Sequence, residues 1–355
     1  MTSELMYAVV VYGKNDFRYE KVPKPKPGPG EVLVKVNRVG ICAADPKVFH
    51  GLGYFSPIVY EHAPIIAGHE FIGEVSEFGV GAEEELGLKV GDRAIMENIV
   101  PCGKCYYCKS GLYNLCSVHV IPGFKMNGGW AQYMVYPKGS IIHKVPRDLP
   151  IDAAVYIEPF ACAVYAVERA GIRLDDTVVL VGCGPIGLGM LTAAKLKSPK
   201  LLIAADTHDY RLDVARSIGA DVTVNVKKED LVGRVLSETG GVGADVVLEA
   251  VGSPTATRQA VDMLRKRGRL LVFGVYPQET SLDWSVISDI KELEITGAHL
   301  GAYSYPTAIR LLSKGYVKVG KIVTHNFPLS EWRAAIETAE KRLDGAIKVT
   351  MTPPQ

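Results

Sequence analysis

The chain carries almost no net charge: 40 basic residues stand against 39 acidic ones, leaving +1 over 355 residues. With no field of one sign, neither nucleic acid nor an anionic membrane surface is an expected partner. Long apolar runs are lacking too, and no stretch reaches the ~20 residues needed to span a bilayer. The opening MTSELMYAVVVYGKND has no basic region followed by an apolar run and a small-residue cleavage site. It reads as a first strand, and no secretion signal is expected. Cysteine is scarce, at seven residues, and in the cytoplasm, the expected compartment, disulfides are rarely maintained. What is present is 48% hydrophobic and 22% charged residues, the composition of a globular protein long enough for two domains.

Four of the seven cysteines crowd into PCGKCYYCKSGLYNLC. Cys102, Cys105, Cys108 and Cys116 follow the spacing C-x2-C-x2-C-x7-C. Disulfides, an iron–sulfur cluster and a metal knot compete for them. Ferredoxin-type runs share C-x2-C-x2-C but continue with x3-C-P, which this one does not. Four thiolates on one short loop suit tetrahedral zinc with every position filled by protein, a structural site that performs no chemistry.

The texture changes along the chain. The first 150 residues read as β-rich, with YAVVVY, EVLVKVNRVGI, FIGEVSEFG and WAQYMVY bounded by Gly and Pro clusters. From about Asp175, short apolar runs (VVLVG, LLIAAD, DVTVNV, DVVLEAVG, RLLVFGVY) alternate with the helical patterns PIGLGMLTAAKLK, YRLDVARSIG and ATRQAVDMLRKRG. That order predicts an α/β, doubly wound parallel sheet. KIVTHNF and AIKVTMT, near the end, read as further strands that return to the first domain.

Within VVLVGCGPIGLGM, Gly182, Gly184 and Gly187 stand in G-x-G-x-x-G spacing after a strand and at the head of a helix, and Asp206 ends the next strand. Together these form the dinucleotide-binding fingerprint. Gly182 permits the tight turn, Gly184 lets backbone approach the pyrophosphate, and Gly187 allows close helix–sheet packing. The helix start at Pro185 and Ile186 offers free N–H groups to the phosphates. Asp206 suits ribose hydroxyls and repels a 2′-phosphate, which points to NAD, although His208 and Arg211 are able to tolerate a phosphate. Gly274 and Val275, in RLLVFGVY, complete the expected cofactor-binding set. The alternative is a structural layer that binds no nucleotide.

Cys42 in VGICAAD, His69 and Glu70 in AGHEFIGEV, and Glu158 in YIEPFAC offer a thiolate, an imidazole and carboxylates. Taken singly, each has a plain structural reading as a buried small residue, a core histidine or a solvated acid. Beside a dinucleotide site, they suit a zinc that polarises an alcohol or carbonyl oxygen for hydride transfer.

GHEFIGEV, VGDRAI, the four-cysteine loop, GCGPIGLG and THNFPL together resemble the zinc-dependent medium-chain dehydrogenase/reductase family over essentially the whole chain. The pair His69-Glu70 and the IEP at Ile157–Pro159 resemble its polyol branch, typified by sorbitol dehydrogenase. GICAAD, IVPCGKCYYCKSG and DWSVISDIKELEITGAHLG resemble most the erythritol/L-threitol dehydrogenases within that branch. The resemblance implies a GroES-like catalytic domain at 1–159, completed by 297–355, and a Rossmann domain at 160–296, with the active site in the cleft. It implies two zinc ions per chain and NAD, with Cys42, His69 and Glu70 as catalytic-zinc ligands and Glu158 as ligand or partner of the zinc-bound water. It also implies a homodimer or homotetramer acting reversibly on a small polyol.

Two departures stand out. The family commonly has Ser or Thr two residues after the ligand cysteine and His three further on; here these are Ala44 and Lys47. The proton is then expected to pass outward through a zinc-bound water oriented by Glu158, with Lys47 or His50 as the exit. Sorbitol dehydrogenases also carry an Arg-Tyr pair where this chain has Leu300 and Gly301, which points to a shorter polyol, with His299 as a polar contact. Phe49, Tyr54, Phe124 and Trp130 are aromatic candidates for pocket walls. Cys162 and Cys183 are expected to be structural. Other expectations left open are a dehydrogenase for sorbitol, xylitol, a cyclitol, L-threonine or a simple alcohol, and a catalytically silent zinc- and nucleotide-binding protein.

Overall fold

Runs rich in Val, Ile and aromatic residues, bounded by Gly and Pro, give eight short strands before residue 145. They are β1 (Leu5–Gly13), β2 (Asp16–Pro23), β3 (Val32–Gly40), β4 (Ile65–Ile66), β5 (Phe71–Phe78), β6 (Arg93–Met96), β7 (Tyr133–Tyr136) and β8 (Ile142–Lys144). The computed structural model describes residues 4–355. Six strands follow in the middle of the chain: β9 (Thr177–Val181), β10 (Leu201–Asp206), β11 (Val222–Asn225), β12 (Ala244–Glu249), β13 (Leu264–Val272) and β14 (Glu294–Gly297). Two more close it, β15 (Val323–Pro328) and β16 (Lys348–Thr352).

The chain divides into two units. One takes residues up to Glu158 together with 308–314 and 323–355; the other takes 159–307 and 315–322. In the first unit, β2-β1-β4 form a small sheet, and β15-β16-β3-β5-β6-β8 form a larger one with β7 also paired to β3. Alternation along β3 turns Val32, Val34 and Val36 into a core with Phe71, Val75, Trp130, Met134 and Tyr136. The tail strand β16 pairs antiparallel with β3, Thr350 opposite Gly40, which carries the end of the chain into this core.

The second unit is one parallel sheet in the order β11-β10-β9-β12-β13-β14. Order reverses between β9 and β12, the switch point at which such sheets bind dinucleotides. Its strands are buried on both faces, which is why they read as unbroken apolar runs: Val178, Val179, Leu180, Leu202, Ile203, Val246, Val247 and Leu248 have no accessible surface.

Two details of this unit differ from the sequence pattern. The helix expected across ATRQAVDMLRKRG is Pro254–Met263, and from Leu264 onward the chain is already strand β13. Leu264 pairs with Ala244 on β12 and is buried there, so tertiary pairing overrides the helical preference of the Lys and Arg that follow. The edge strand β14 carries no strand signal because EITG is short and mostly exposed.

At Gly187 a Cβ would overlap the carbonyl oxygen of Gly182, so the turn and the helix behind it have no space for a side chain. Gly187→Val is expected to lower unfolding free energy by about 1–3 kcal/mol, read as a reduced urea midpoint.

Candidate metal centres and cofactor turn

β3 ends at Gly40 and β5 begins at Phe71, and the two pair antiparallel with Val39 opposite Phe71. Cys42, two residues past β3, is thereby brought to His69 and Glu70, immediately before β5. The Cys42 Sγ, a His69 ring nitrogen and a Glu70 carboxylate oxygen all lie within 4.8 Å of one another. Gly40 makes the convergence possible, since a Cβ there would overlap the Glu70 carboxylate. Trp130, fully buried, donates its indole N–H to the Gly40 carbonyl at 3.2 Å.

Two residues that the sequence pattern did not single out complete this centre. Asp45, in the short helix Ala44–Phe49, accepts the Cys42 backbone N–H at 2.7 Å and places Oδ1 3.7 Å from His69 Nδ1. Lys348, on β16 and 2% exposed, pairs with Glu70 and donates to the Ile41 carbonyl at 2.8 Å. Asp45 lay only three residues from Cys42, where a second carboxylate after the thiol was the available signal; nothing local marked Lys348.

Burial opposes charge on His69, but Asp45, Cys42 and Glu70 outweigh it and raise the imidazole to about 10. Burial likewise pushes Asp45 up to about 6, against the opposing pull of His69. The raised imidazole reflects the acidic side chains crowded around its ring, a setting that suits a bound cation. His69 Nδ1 is buried and makes no hydrogen bond. Sulfur, imidazole and carboxylate donors are a set that zinc accepts, and Asp45 stands where a second carboxylate orients a ligating histidine. These residues fit the metal.

The four-cysteine loop forms a second cluster, its sulfurs also within 4.8 Å of one another. Backbone N–H groups aim at sulfur: Cys105 at Cys102 Sγ (3.4 Å), Cys108 at Cys105 Sγ (3.5 Å) and Cys102 at Cys116 Sγ (3.4 Å). N–H groups of Cys108 and Ser117 lower the Cys105 thiol to about 6, whereas burial raises Cys108 to about 12. Inward N–H groups around converging sulfurs are the setting of metal thiolates. The loop is anchored by Glu97, 2% exposed, which accepts from Tyr113 Oη at 2.7 Å and contacts His143 Nε2 at 2.9 Å. None of the seven cysteines forms a disulfide.

In the second unit Gly182 adopts φ +100°, open to glycine, and Gly184 caps the helix Pro185–Lys195 with free space where a Cβ would stand. Asp206, at the end of β10, accepts the Cys183 N–H at 2.8 Å and the His208 N–H at 2.9 Å. Arg211 Nη1 lies 3.8 Å from Oδ2, the oxygen that accepts the Cys183 N–H, while Arg211 Nε is buried with no hydrogen-bond partner. The Cys183 thiol is pushed up by burial and belongs to the core. Glycine turn, helix start and acidic residue thus assemble at the carboxyl ends of β9 and β10, as nucleotide binding requires.

The family described as "Alcohol dehydrogenase GroES-like domain" matches residues 28–147, and that described as "Zinc-binding dehydrogenase" matches 185–314. An erythritol/L-threitol dehydrogenase of Mycolicibacterium smegmatis is 43% identical over 99% of this chain and 98% of its own. The chain belongs to the zinc-dependent medium-chain dehydrogenase/reductase family, in its polyol branch. Two solved structures share its fold over 99% of this chain and 100% of theirs. A zinc-binding dehydrogenase from Sinorhizobium meliloti 1021 bound to NADP matches at TM-score 0.90 and 26% identity. An alcohol dehydrogenase of Escherichia coli CFT073 complexed with NADH matches at 0.87 and 30%. The chain is therefore a zinc-dependent alcohol or polyol dehydrogenase that uses a nicotinamide cofactor.

The remaining family positions are distributed unevenly. Glu158, in the first turn of the helix Ile157–Ala170 and 6% exposed, receives Asn98 Nδ2 at 3.4 Å and is outside the Cys42–His69–Glu70 group. Lys47 is exposed, and His50 Nε2 contacts Glu340 at 3.2 Å. Of the aromatic candidates, Phe124 faces the His69 ring at 4.9 Å. Phe49 and Trp130 are core, and Tyr54 is 72% exposed. Leu300 has φ +58°, and Gly301 backs onto the Ala161–Cys162 backbone with no room for a Cβ.

Asp45→Asn keeps the shape but removes the charge behind His69, and should weaken metal binding about 10–100-fold in competition with a chelator. Lys348→Met leaves Glu70 buried without its cation, and should cost the metal-free protein about 3–5 kcal/mol in urea denaturation.

Proposed function

We propose that this dehydrogenase oxidises a secondary hydroxyl of a small polyol, a tetritol such as erythritol or threitol, to the ketose with NAD, reversibly. The observation that carries the reading is the convergence of Cys42, His69 and Glu70, whose ligand atoms lie within 4.8 Å of one another. Two zinc ions are proposed per chain: one held by those three residues, the other by Cys102, Cys105, Cys108 and Cys116. A zinc held by the first set would polarise the carbinol oxygen while the nicotinamide takes the hydride.

The chain's own residues do the rest. Asp45 holds the Cys42 backbone and orients His69, and Lys348 balances Glu70. Ala44 supplies no hydroxyl, so Glu158, steadied by Asn98, takes the substrate proton. Lys47, exposed, and His50, beside Glu340, provide its way to solvent. The short substrate is supported by Leu300 and Gly301, which offer no guanidinium or phenol to a longer polyol, and by the 43% identity to an enzyme named for tetritols.

NAD is supported by the carboxylate of Asp206 at the end of β10, which would meet a 2′-phosphate with like charge. A second reading, NADP, is favoured by Arg211 and His208 beside that carboxylate. Among the described residues no helix is long and apolar enough to cross a membrane, and seven free thiols suit a reducing compartment such as the cytoplasm. A homodimer or homotetramer is the proposed assembly, on the family resemblance.

Reduced cofactor formation measured across erythritol, both threitols, xylitol, sorbitol, a cyclitol, L-threonine and a simple alcohol tests the substrate. Fastest turnover on a tetritol with NAD is expected; preference for sorbitol or threonine would overturn the tetritol assignment and leave the family intact. Glu158→Gln should lower kcat by about 10²–10⁴-fold and remove the corresponding limb of the pH profile. An unchanged profile would exclude Glu158 from the proton path.

A further inference from the structure

Glu249 ends β12, the first strand beyond the reversal in sheet order. A dinucleotide laid across the carboxyl ends of these strands has its adenosine half toward Asp206 on β10, which leaves its nicotinamide half over β12 and β13. Glu249 has no accessible surface. Its Oε1 accepts the N–H groups of Val251 (2.8 Å) and Gly252 (2.7 Å), and its Oε2 accepts the Tyr276 hydroxyl at 3.0 Å. Its backbone carbonyl takes the N–H groups of Phe273 (2.9 Å) and Gly274 (3.2 Å). Gly274 in turn backs onto Gly252 with no space for a Cβ. One residue therefore ties together the loops that follow β12 and β13.

The tie does not need a charge. A glutamine would accept both N–H groups on its oxygen and donate its amide to Tyr276 Oη, which would then donate to Thr257 Oγ1, 2.6 Å away. Every donor to Glu249 is neutral. Among the described residues the ion pairs of this sheet engage Asp176, Asp206, Asp245 and Glu292, and none engages Glu249. A carboxylate buried without a cation is costly, and here the hydrogen bonds alone do not account for it.

We infer that Glu249 sets the preference of the nicotinamide half-site for the oxidised cofactor. Its buried negative charge attracts the cationic ring of the oxidised dinucleotide and is indifferent to the neutral reduced ring, and low-dielectric surroundings strengthen the difference. This rests on the reading of the second unit as a dinucleotide site, and holds for NAD or NADP alike.

The test is binding, without turnover: titration with NADH followed by cofactor fluorescence, and NAD+ by competition against it. In Glu249→Gln the ratio Kd(NAD+)/Kd(NADH) is expected to rise about three- to tenfold, through weaker NAD+ binding. An unchanged ratio would overturn the inference, whether both affinities fall together, as loss of a mere structural tie predicts, or neither moves. Tyr276→Phe removes a neutral partner and keeps the charge; its ratio should match wild type, and a rise equal to that of Glu249→Gln would overturn the electrostatic account. Should Glu249→Gln fail to fold, Tyr276→Lys carries the test, because its ammonium compensates Glu249 from a half-exposed position. The ratio must then rise, and an unchanged ratio overturns the inference. Wild-type protein that binds neither cofactor would overturn the dinucleotide reading itself, an outcome distinct from an unchanged ratio.

Discussion

The candidate metal centre at Cys42, His69 and Glu70 depends on the register of three strands. β3 pairs with β5 so that Val39 meets Phe71, and with β16 so that Thr350 meets Gly40. Given that register, Cys42, Glu70 and Lys348 converge, although they are separated by up to 306 positions (348 − 42). A slip of one residue on any strand would turn its side chains to the opposite face and scatter the group. The valines of β3, buried in the core, hold the register against such a slip. Gly40, at the crossing, leaves the volume that the Glu70 carboxylate occupies. Packing energy spread over a sheet thus fixes the positions of a few costly polar groups.

The two units handle buried charge differently. Around His69, the Cys42 thiol, Glu70 and Asp45 converge beside the ammonium of Lys348, a set of donors that suits a metal cation. In the parallel sheet, Asp206 and Glu249 are satisfied largely by backbone N–H groups, which offset charge without neutralising it. Negative potential therefore persists at the strand ends, where a dinucleotide presents ribose hydroxyls and, in its oxidised form, a cationic ring. The first arrangement suits a metal; the second suits a cofactor that carries positive charge in one of its states.

Local features were legible from residue order. The glycine turn and the four-cysteine loop each lie within one short stretch, where backbone geometry alone brings the groups together, so their spacing carries the signal. The Cys42, His69 and Glu70 set was legible only as residue types joined by a family resemblance, because no spacing rule links residue 42 to residue 69. Glu97, Lys348 and Glu249 carried no signal: a glutamate or lysine in a strand, or just past one, reads as surface until its burial is seen. The helix ending at Met263 was misjudged for the same reason, since the pairing of Leu264 with Ala244 is a tertiary contact.

The sequence by itself determined the two-unit texture, the parallel sheet, the cofactor turn and the types of metal donor, because periodicity and short-range spacing encode them directly. Only the tertiary structure decided which of those donors meet. It gathered Cys42, His69 and Glu70, set Glu158 beside Asn98, tied His50 to Glu340, and brought Lys348 from the far end of the chain to Glu70. The reason is physical: side-chain identity is local, but the electrostatic environment of a buried group is set by strand register and by the neighbours that register imposes.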